Sequence, residues 1–220
     1  MKQKIRISVL LFVLVLIGAG WVYLVSDQYE AQWSRPYTVE ETSFGYAALH
    51  DSSVGVIVYG GGKVDPLSYA YLTELDANVF LVRFPFHLAV FSINRGQRVI
   101  EAYPQISTWV VVGHSLGGSM GYVFSQNNDA VDGVVYLASY PTGLTDRSSL
   151  AIFGTNDGLL QPDEYLDRFS PGDVILLEGG NHAGFGEYGD QSGDLPASIS
   201  GSQQRRFVLD QIQMFLDSLS

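Results

Sequence analysis

The sequence predicts a doubly wound α/β fold with a mainly parallel sheet, preceded by one N-terminal transmembrane helix. Short, almost continuously apolar segments alternate with segments of helical periodicity, which is typical of parallel strands buried on both faces. One apolar segment, residues 110–112, runs directly into a Gly-x-Ser-x-Gly sequence at residues 113–117, and a helical pattern follows at once. Residues 7–25 contain no charged side chain, which predicts the helix that precedes the fold.

The composition limits the class of protein. A chain of 220 residues, 46% of them hydrophobic, can form one domain with a sizeable core and an appendage. It has no cysteine, which excludes disulfides, thiolate nucleophiles and cysteine-bound metals, and its 4 scattered histidines do not favour a histidine metal site. We therefore expect no cofactor. The net charge of -11 argues against a nucleic acid as a partner.

The N-terminal segment has the features of a membrane anchor. Residues 7–25 are long enough to cross a bilayer as a helix. Lys2, Lys4 and Arg6 precede them, whereas the first acidic residue of the chain is Asp27. The positive-inside rule then predicts a cytoplasmic N-terminus and an extracytoplasmic domain, on a single-pass protein of a bacterial cell membrane.

A cleaved signal peptide is the alternative interpretation of this segment, and a buried core helix is a third. The best small-x-small site, residues 18–20, lies inside the apolar run, so the sequence favours an uncleaved signal-anchor. We expect residues 1–26 to form the anchor, residues 27–45 a polar stalk, and residues 46–220 the folded domain.

Beyond the stalk, apolar segments predict strands and periodic segments predict helices. Strands are expected at residues 54–59, 79–84, 109–112, 133–138, 150–153 and 174–177. Helices are expected at residues 66–75, at 88–103, directly after Ser115, and at 204–219. The alternation of the two predicts a parallel sheet with helices on both faces.

The Gly-x-Ser-x-Gly segment has the context of a nucleophile elbow, in which a strand turns sharply into a helix around a serine. Gly113 and Gly117 have no Cβ, so neighbouring backbone can approach closely and the Ser115 Oγ can stand clear of the sheet. The helix begins directly behind Ser115, and its free N–H groups point to where an oxyanion would form. We expect the Leu116 N–H to be the first oxyanion donor. A glycine-rich turn with a serine cap is the alternative.

The acid and the base are expected at the carboxyl ends of later strands, where sites gather on such sheets. On this type of fold the order is serine, acid, histidine, and His182 is the only histidine after Ser115. Asp157 and Asp146 both follow predicted strands. We favour Asp157 because it is close to its strand end and is flanked by Gly158, although an Asx turn would also explain it.

Three further segments contain candidate site residues. Residues 60–62 are all glycine, which resembles the loop that supplies a second oxyanion N–H in esterases; Gly61 or Gly62 is the expected donor. Residues 85–91 are unusually apolar for a loop and either line an acyl pocket or belong to the core. Glu187, Asp190 and Asp194 could hold a calcium ion, but a solvated loop is the favoured interpretation.

Together these segments resemble the α/β-hydrolase superfamily, and more closely its small bacterial fold-5 family, which is related to dienelactone hydrolases. The resemblance covers about residues 54–216. It rests on the segments 60–66, 85–91, 113–118, 138–141, 154–158 and 179–186. It implies that Ser115, Asp157 and His182 correspond to the nucleophile, acid and base of a hydrolase, but it does not name the ester, because the family is defined more by fold than by substrate.

The resemblance also indicates the kind of substrate. No long insertion separates the predicted strands 133–138 and 150–153, where many relatives carry a lid. We therefore expect an open site for small or flexible carboxylic esters rather than an interfacial lipase. The alternatives are an acyltransferase on cell-envelope acceptors, which would use the same residues, and a non-catalytic binding protein. The intact order of serine, aspartate and histidine argues against the binding protein.

Overall fold

The computed structural model describes residues 20, 22, 24–144, 147–170 and 173–219. The predicted transmembrane segment lies almost wholly outside these residues, and Asp146 lies outside them too. Within the described part of the chain, no helix is both long and apolar enough to cross a membrane.

The described residues form one eight-stranded sheet in the order β1-β2-β4-β3-β5-β6-β7-β8. The strands are β1 (Glu40–Thr42), β2 (Gly45–Ala48), β3 (Val54–Tyr59), β4 (Asn78–Val82), β5 (Thr108–His114), β6 (Val131–Leu137), β7 (Ser148–Gly154) and β8 (Val174–Leu177). Strand β2 is antiparallel to both of its neighbours, and the other pairs are parallel. The predicted, mainly parallel sheet is therefore confirmed, and the carboxyl ends of β3 to β8 meet at one edge.

Helices cover both faces of this sheet, as a doubly wound fold requires. The α-helices are α1 (Gln97–Ala102), α2 (Leu116–Gln126) and α3 (Gly201–Ser218), and residues Pro66–Glu74 form a 3₁₀ helix. Val56 and Val58 of β3 belong to one core with the Pro66–Glu74 segment and α3. Ile57 and Tyr59 belong to a second core, on the side of α1 and α2.

The last helix starts where the sequence supplies a cap. The Ser200 Oγ accepts from the Gln203 N–H, and the Gln203 side chain accepts from the Ser200 N–H. Helix α3 therefore begins at Gly201, three residues before the predicted start. Its apolar face, with Val208, Ile212 and Leu216, is buried against the sheet.

The predicted helix at residues 88–103 is wrong for most of its length. Only Gln97–Ala102 is α-helical, and short 3₁₀ turns precede it. Leu88 and Ser92 adopt non-helical backbone angles, and Phe86 and His87 both have positive φ (55° and 53°). The chain therefore turns repeatedly over the edge of the sheet, and a continuous helix cannot form there.

The segment predicted as a stalk lies along the domain. Tyr29 forms a β-bridge with Val64, and the Trp33 Nε1–H donates to the Leu67 carbonyl at 2.7 Å. The segment ends in β1, which the sequence did not predict because its residues are polar and it forms an exposed edge of the sheet. The short strand β2 was missed as well.

Candidate active site

The turn between β5 and α2 has the backbone of a nucleophile elbow. Ser115 has φ 52° and ψ -125°, a strained conformation for a residue with a side chain. A Cβ on Gly117 would lie 2.1 Å from the Tyr59 carbonyl oxygen, and one on Gly113 would lie 2.3 Å from the Gly118 Cα. The two glycines therefore let the start of α2 pack directly against the ends of β3 and β5.

Neighbouring strands hold this turn in place. The Ser115 N–H donates to the Leu137 carbonyl at 3.0 Å, and the Ser115 carbonyl accepts from the Ser139 Oγ at 2.6 Å. The Ser115 side chain is half-buried and does not cap α2, although Ser115 occupies the cap position. Ser115 directly precedes Leu116, the first residue of α2, whose N–H has no acceptor within the helix.

Asp157 and His182 form a buried pair. The His182 Nδ1 donates to Oδ2 of Asp157 at 2.8 Å, and the two residues are 2% and 3% exposed. The other carboxylate oxygen, Oδ1, accepts from the N–H groups of Leu159 and Leu160, both at 2.8 Å. Asp157 thus makes the Asx-type turn with one oxygen and contacts His182 with the other, so the turn does not prevent the histidine contact.

The imidazole of His182 lies beside the end of β5. Its ring centroid is 4.8 Å from that of His114, the residue directly before Ser115. The Nε2 of His182 is buried and has no hydrogen-bond partner among the described residues. This nitrogen is therefore available to accept a proton. The competing acid, Asp146, lies outside the described residues.

The two glycines expected to supply the second oxyanion N–H, Gly61 and Gly62, have different surroundings. The Gly61 N–H already donates to the Tyr69 hydroxyl at 2.9 Å. Gly62 faces the first helical residue, since a Cβ there would be 3.4 Å from Leu116 Cδ2 and 3.6 Å from Leu88 Cδ2. This geometry favours Gly62 over Gly61 as the partner of Leu116.

Sequence reasoning missed a buried pair behind this loop, Tyr69 and His114. The Tyr69 hydroxyl accepts from Gly61 and lies 2.7 Å from Nδ1 of His114. Burial lowers the pKa of His114 well below its usual value. The electrostatic effect of the nearby His182 also lowers this pKa, whereas a hydrogen bond with the His182 backbone raises it. Burial also raises the pKa of Tyr69. The phenol therefore donates to a neutral imidazole. The Gly-His-Ser sequence was visible, but nothing in it showed that Tyr69 reaches His114.

The apolar segment at residues 85–91 is divided between two roles. Ala89 is buried in the core, whereas Leu88 lies beside Gly62 at the elbow. Val90 and Phe91 are exposed. Of the expected alternatives, core and acyl pocket, the first applies to Ala89 and the position of Leu88 fits the second.

The three acidic residues that follow His182 are not all in a solvated loop. Glu187 is 4% exposed and accepts from Ser34 and Arg205, so that interpretation is wrong for it. Asp194 accepts hydrogen bonds from backbone N–H groups, and Asp190 is exposed. No group of three or more metal-ligating side chains occurs in the described ranges.

A cleft of about 620 Å³ opens beside the segment that carries His182. Asp190, Asp194 and Arg205 line it, but Ser115 and His182 do not. Because neither of these two residues lines it, this cleft is not part of the candidate active site.

The fold and these strand-end residues define an α/β hydrolase class of protein, with a serine after β5, an aspartate after β7 and a histidine after β8. A family model described as the alpha/beta hydrolase family matches residues 55–206, well over half of the chain. The protein belongs to this family.

Solved structures share the fold at low sequence identity. A protein described as a predicted CIB-like hydrolase from Thermoplasma acidophilum has a TM-score of 0.54 and 16% identity, over 81% of this chain and 99% of that one. Est1E from Butyrivibrio proteoclasticus has a TM-score of 0.54 and 10% identity, over 82% and 97%. No curated protein sequence matches this chain significantly.

Proposed function

We propose that the protein is a serine hydrolase that cleaves carboxylic esters through an acyl-enzyme on Ser115. The observation that carries the proposal is the buried Asp157–His182 hydrogen bond, which leaves Nε2 of His182 without a partner beside the strand that delivers Ser115. A histidine that is oriented by a carboxylate and keeps its other ring nitrogen unpaired is what the activation of a serine hydroxyl needs.

In the proposed mechanism, the Ser115 Oγ attacks the ester carbonyl carbon while Nε2 of His182 takes the hydroxyl proton. Asp157 holds the imidazole in the correct tautomer and stabilises the imidazolium. The N–H groups of Leu116 and Gly62 stabilise the oxyanion, each by a few kcal/mol at most, about 3–4. His182 then protonates the leaving alcohol. Water attacks the acyl-enzyme with the same histidine as base, which releases the acid and restores Ser115.

Small or flexible esters suit this site best. Residues 138–147 alone connect β6 to β7, so the space above Ser115 has no long insertion from this connection. Leu88 and Leu116 flank Gly62 and supply apolar surface next to the proposed oxyanion position. These features support an open site with a short apolar wall.

A fluorophosphonate probe tests the proposal. We expect the probe to label the wild-type protein and not Ser115→Ala, and p-nitrophenyl esters from acetate to octanoate to be hydrolysed by the wild type only. A wild-type protein without labelling and turnover would instead indicate a binding protein. Added glycerol distinguishes the remaining alternative, because an acyltransferase would give the glyceryl ester in place of the free acid.

We also propose a cellular location for the protein. Residues 7–25, with the basic residues before them, support an uncleaved anchor that holds the domain on the outer side of a cell membrane.

A further inference from the structure

We propose that Asp194 is a positioning residue that fixes the main chains of the acid and the base relative to each other. This inference rests on the proposed roles of Asp157 and His182. The two side chains stand on separate segments, one after β7 and one after β8, and a single hydrogen bond joins them directly. Hydrogen bonds join the two segments just before these residues, since the Asn156 N–H donates to the Gly180 carbonyl at 2.8 Å and the Gly179 N–H donates to the Thr155 Oγ1 at 2.9 Å. The backbone after each functional residue needs a link of its own.

The Asp194 carboxylate bridges these segments. Its Oδ1 accepts from the N–H of Gly158 at 2.9 Å, and its Oδ2 accepts from the N–H of Ala183 at 2.8 Å. Gly158 directly follows Asp157, and Ala183 directly follows His182. One rigid planar group thus contacts the backbone next to both members of the pair.

Neighbouring residues reinforce the bridge. We call residues 193–196 the brace. The Leu195 carbonyl accepts from the Asn181 side chain at 2.8 Å, and the Pro196 carbonyl accepts from the Asn156 side chain at 3.0 Å. These two asparagines directly precede His182 and Asp157. The brace therefore contacts each segment on both sides of its functional residue.

Close packing leaves the brace little freedom. A Cβ on Gly158 would lie 2.7 Å from the Gly193 carbonyl oxygen and from the Leu195 nitrogen, so the backbones are in direct contact. Gly193 has φ +88°, which lets the chain turn so that Asp194 faces both segments.

Only a carboxylate can make this bridge in the space of an aspartate. Three N–H groups point at its two oxygens, those of Gly158 and Leu195 at Oδ1 and that of Ala183 at Oδ2. An asparagine would place an NH₂ donor against one of these sides. Asp194→Asn therefore keeps the shape but breaks one side of the bridge. Because Asp194 is not in contact with the substrate in this arrangement, its loss should lower kcat and leave KM unchanged.

The test compares Asp194→Asn with Asp190→Asn, in the full chain with p-nitrophenyl acetate as the probe. Asp190 is exposed, lies in the same loop, and its substitution removes the same charge. We expect Asp194→Asn to lower kcat on the order of 10- to 100-fold, with KM within about twofold, because small displacements of reacting groups have effects of this size. Asp190→Asn should stay within about twofold of the wild type in both constants.

A spectroscopic measurement separates positioning from general stability. The proton shared by Nδ1 of His182 and Asp157 should give a downfield ¹H resonance in the wild type and in Asp190→Asn, and this resonance should move or broaden in Asp194→Asn. A folded Asp194→Asn protein with unchanged kcat and resonance, but a lower unfolding temperature, would overturn the proposal. If this variant does not fold, amide exchange in the wild type decides: rapid exchange of the Gly158 and Ala183 N–H groups would overturn it, and protection would support it.

A failure of the proposed function would give a different result from a failure of the Asp194 bridge. Hydrolysis that survives in Ser115→Ala would reject the triad, whereas the His182 resonance and the amide exchange report on the bridge without any turnover.

Discussion

At the scale of single residues, the two oxygens of Asp157 have different tasks. Oδ1 accepts two backbone N–H groups and fixes the turn, while Oδ2 accepts from His182. A substitution that keeps the turn and changes only the histidine contact can therefore isolate the second task. Asparagine does this, because its carbonyl oxygen can still accept the two backbone N–H groups.

We expect Asp157→Asn to lower kcat by about ten-thousand-fold with little loss of stability. Its NH₂ group would face Nδ1 of His182 and favour the wrong tautomer, which has an effect of this size in a serine protease triad. Steady-state hydrolysis of an aryl ester measures it, and Asp146→Asn is the matched comparison, expected to remain within a few-fold of the wild type. A large loss in Asp146→Asn instead would move the acid to the connection after β6.

His114 gives a second residue-scale prediction, on stability against pH. Its pKa in the folded protein is far below that of an unfolded histidine, about 6.5, because it is buried against Tyr69 and His182. Below pH 6.5 the unfolded chain binds a proton that the folded one does not, so the free energy of unfolding falls as pH falls, by up to about 1.4 kcal/mol per pH unit from this group. Well above pH 6.5 the imidazole is neutral in both the folded and the unfolded state, so its contribution to stability no longer changes with pH.

Urea unfolding of the wild type and His114→Asn between pH 7.5 and 5 measures this contribution. We expect a shallower pH dependence in His114→Asn, and the same dependence as wild type in His50→Gln, which removes an exposed histidine instead. Equal slopes in wild type and His114→Asn would contradict the assignment of His114 as the buried neutral group.

At the scale of elements, the sequence predicted what depends on local pattern. The strand β5, the turn at Ser115 and the start of α2 follow from an apolar run, two glycines and helical spacing. Residues 88–103 have helical spacing as well, yet they form short turns, because that spacing does not encode the non-helical angles at Leu88 and Ser92. The Tyr69–His114 contact and the Asp194 bridge join distant parts of the chain, which no periodicity encodes.

The elbow itself gives an element-scale prediction. Gly117→Ala would place a Cβ 2.1 Å from the backbone carbonyl of Tyr59, which cannot move without separating α2 from β3. We expect a loss of about 3 kcal/mol or more in the free energy of unfolding, together with loss of probe labelling. Gly201→Ala is the control, because its Cβ would meet the end of the Arg205 side chain and no backbone atom, so at most it disturbs the Arg205–Glu187 ion pair. Chemical denaturation measures both, and similar stabilities of the two variants would contradict the close packing at the elbow.

At the scale of the whole molecule, the segment after the predicted anchor belongs to the folded body. Ser34 and Arg205 both bind the buried Glu187, and the Lys63 Nζ donates to the Ser26 carbonyl at 3.3 Å. Tyr29 bridges Val64, just after the glycine loop. The chain therefore enters the domain beside that loop, at the sheet edge that carries the proposed triad. The polar composition of residues 27–45 predicts a stalk. The hydrogen bonds that hold this segment go to distant parts of the chain and leave no apolar pattern in the sequence.

The anchor gives the last prediction. Residues 7–25 are uncharged and follow Lys2, Lys4 and Arg6, so we expect the full chain to sediment with membranes and to be digested by protease added outside intact cells. A variant that lacks residues 1–26 should be soluble and unfold at the same temperature within about 2 °C, since it loses the Lys63–Ser26 hydrogen bond but keeps the contacts of Tyr29 and Trp33. It should also hydrolyse the same esters, because no part of the proposed triad depends on the removed segment. A shortened, soluble product in the medium of cells that express the full chain would show a cleaved signal peptide, and resistance to external protease would reverse the predicted orientation.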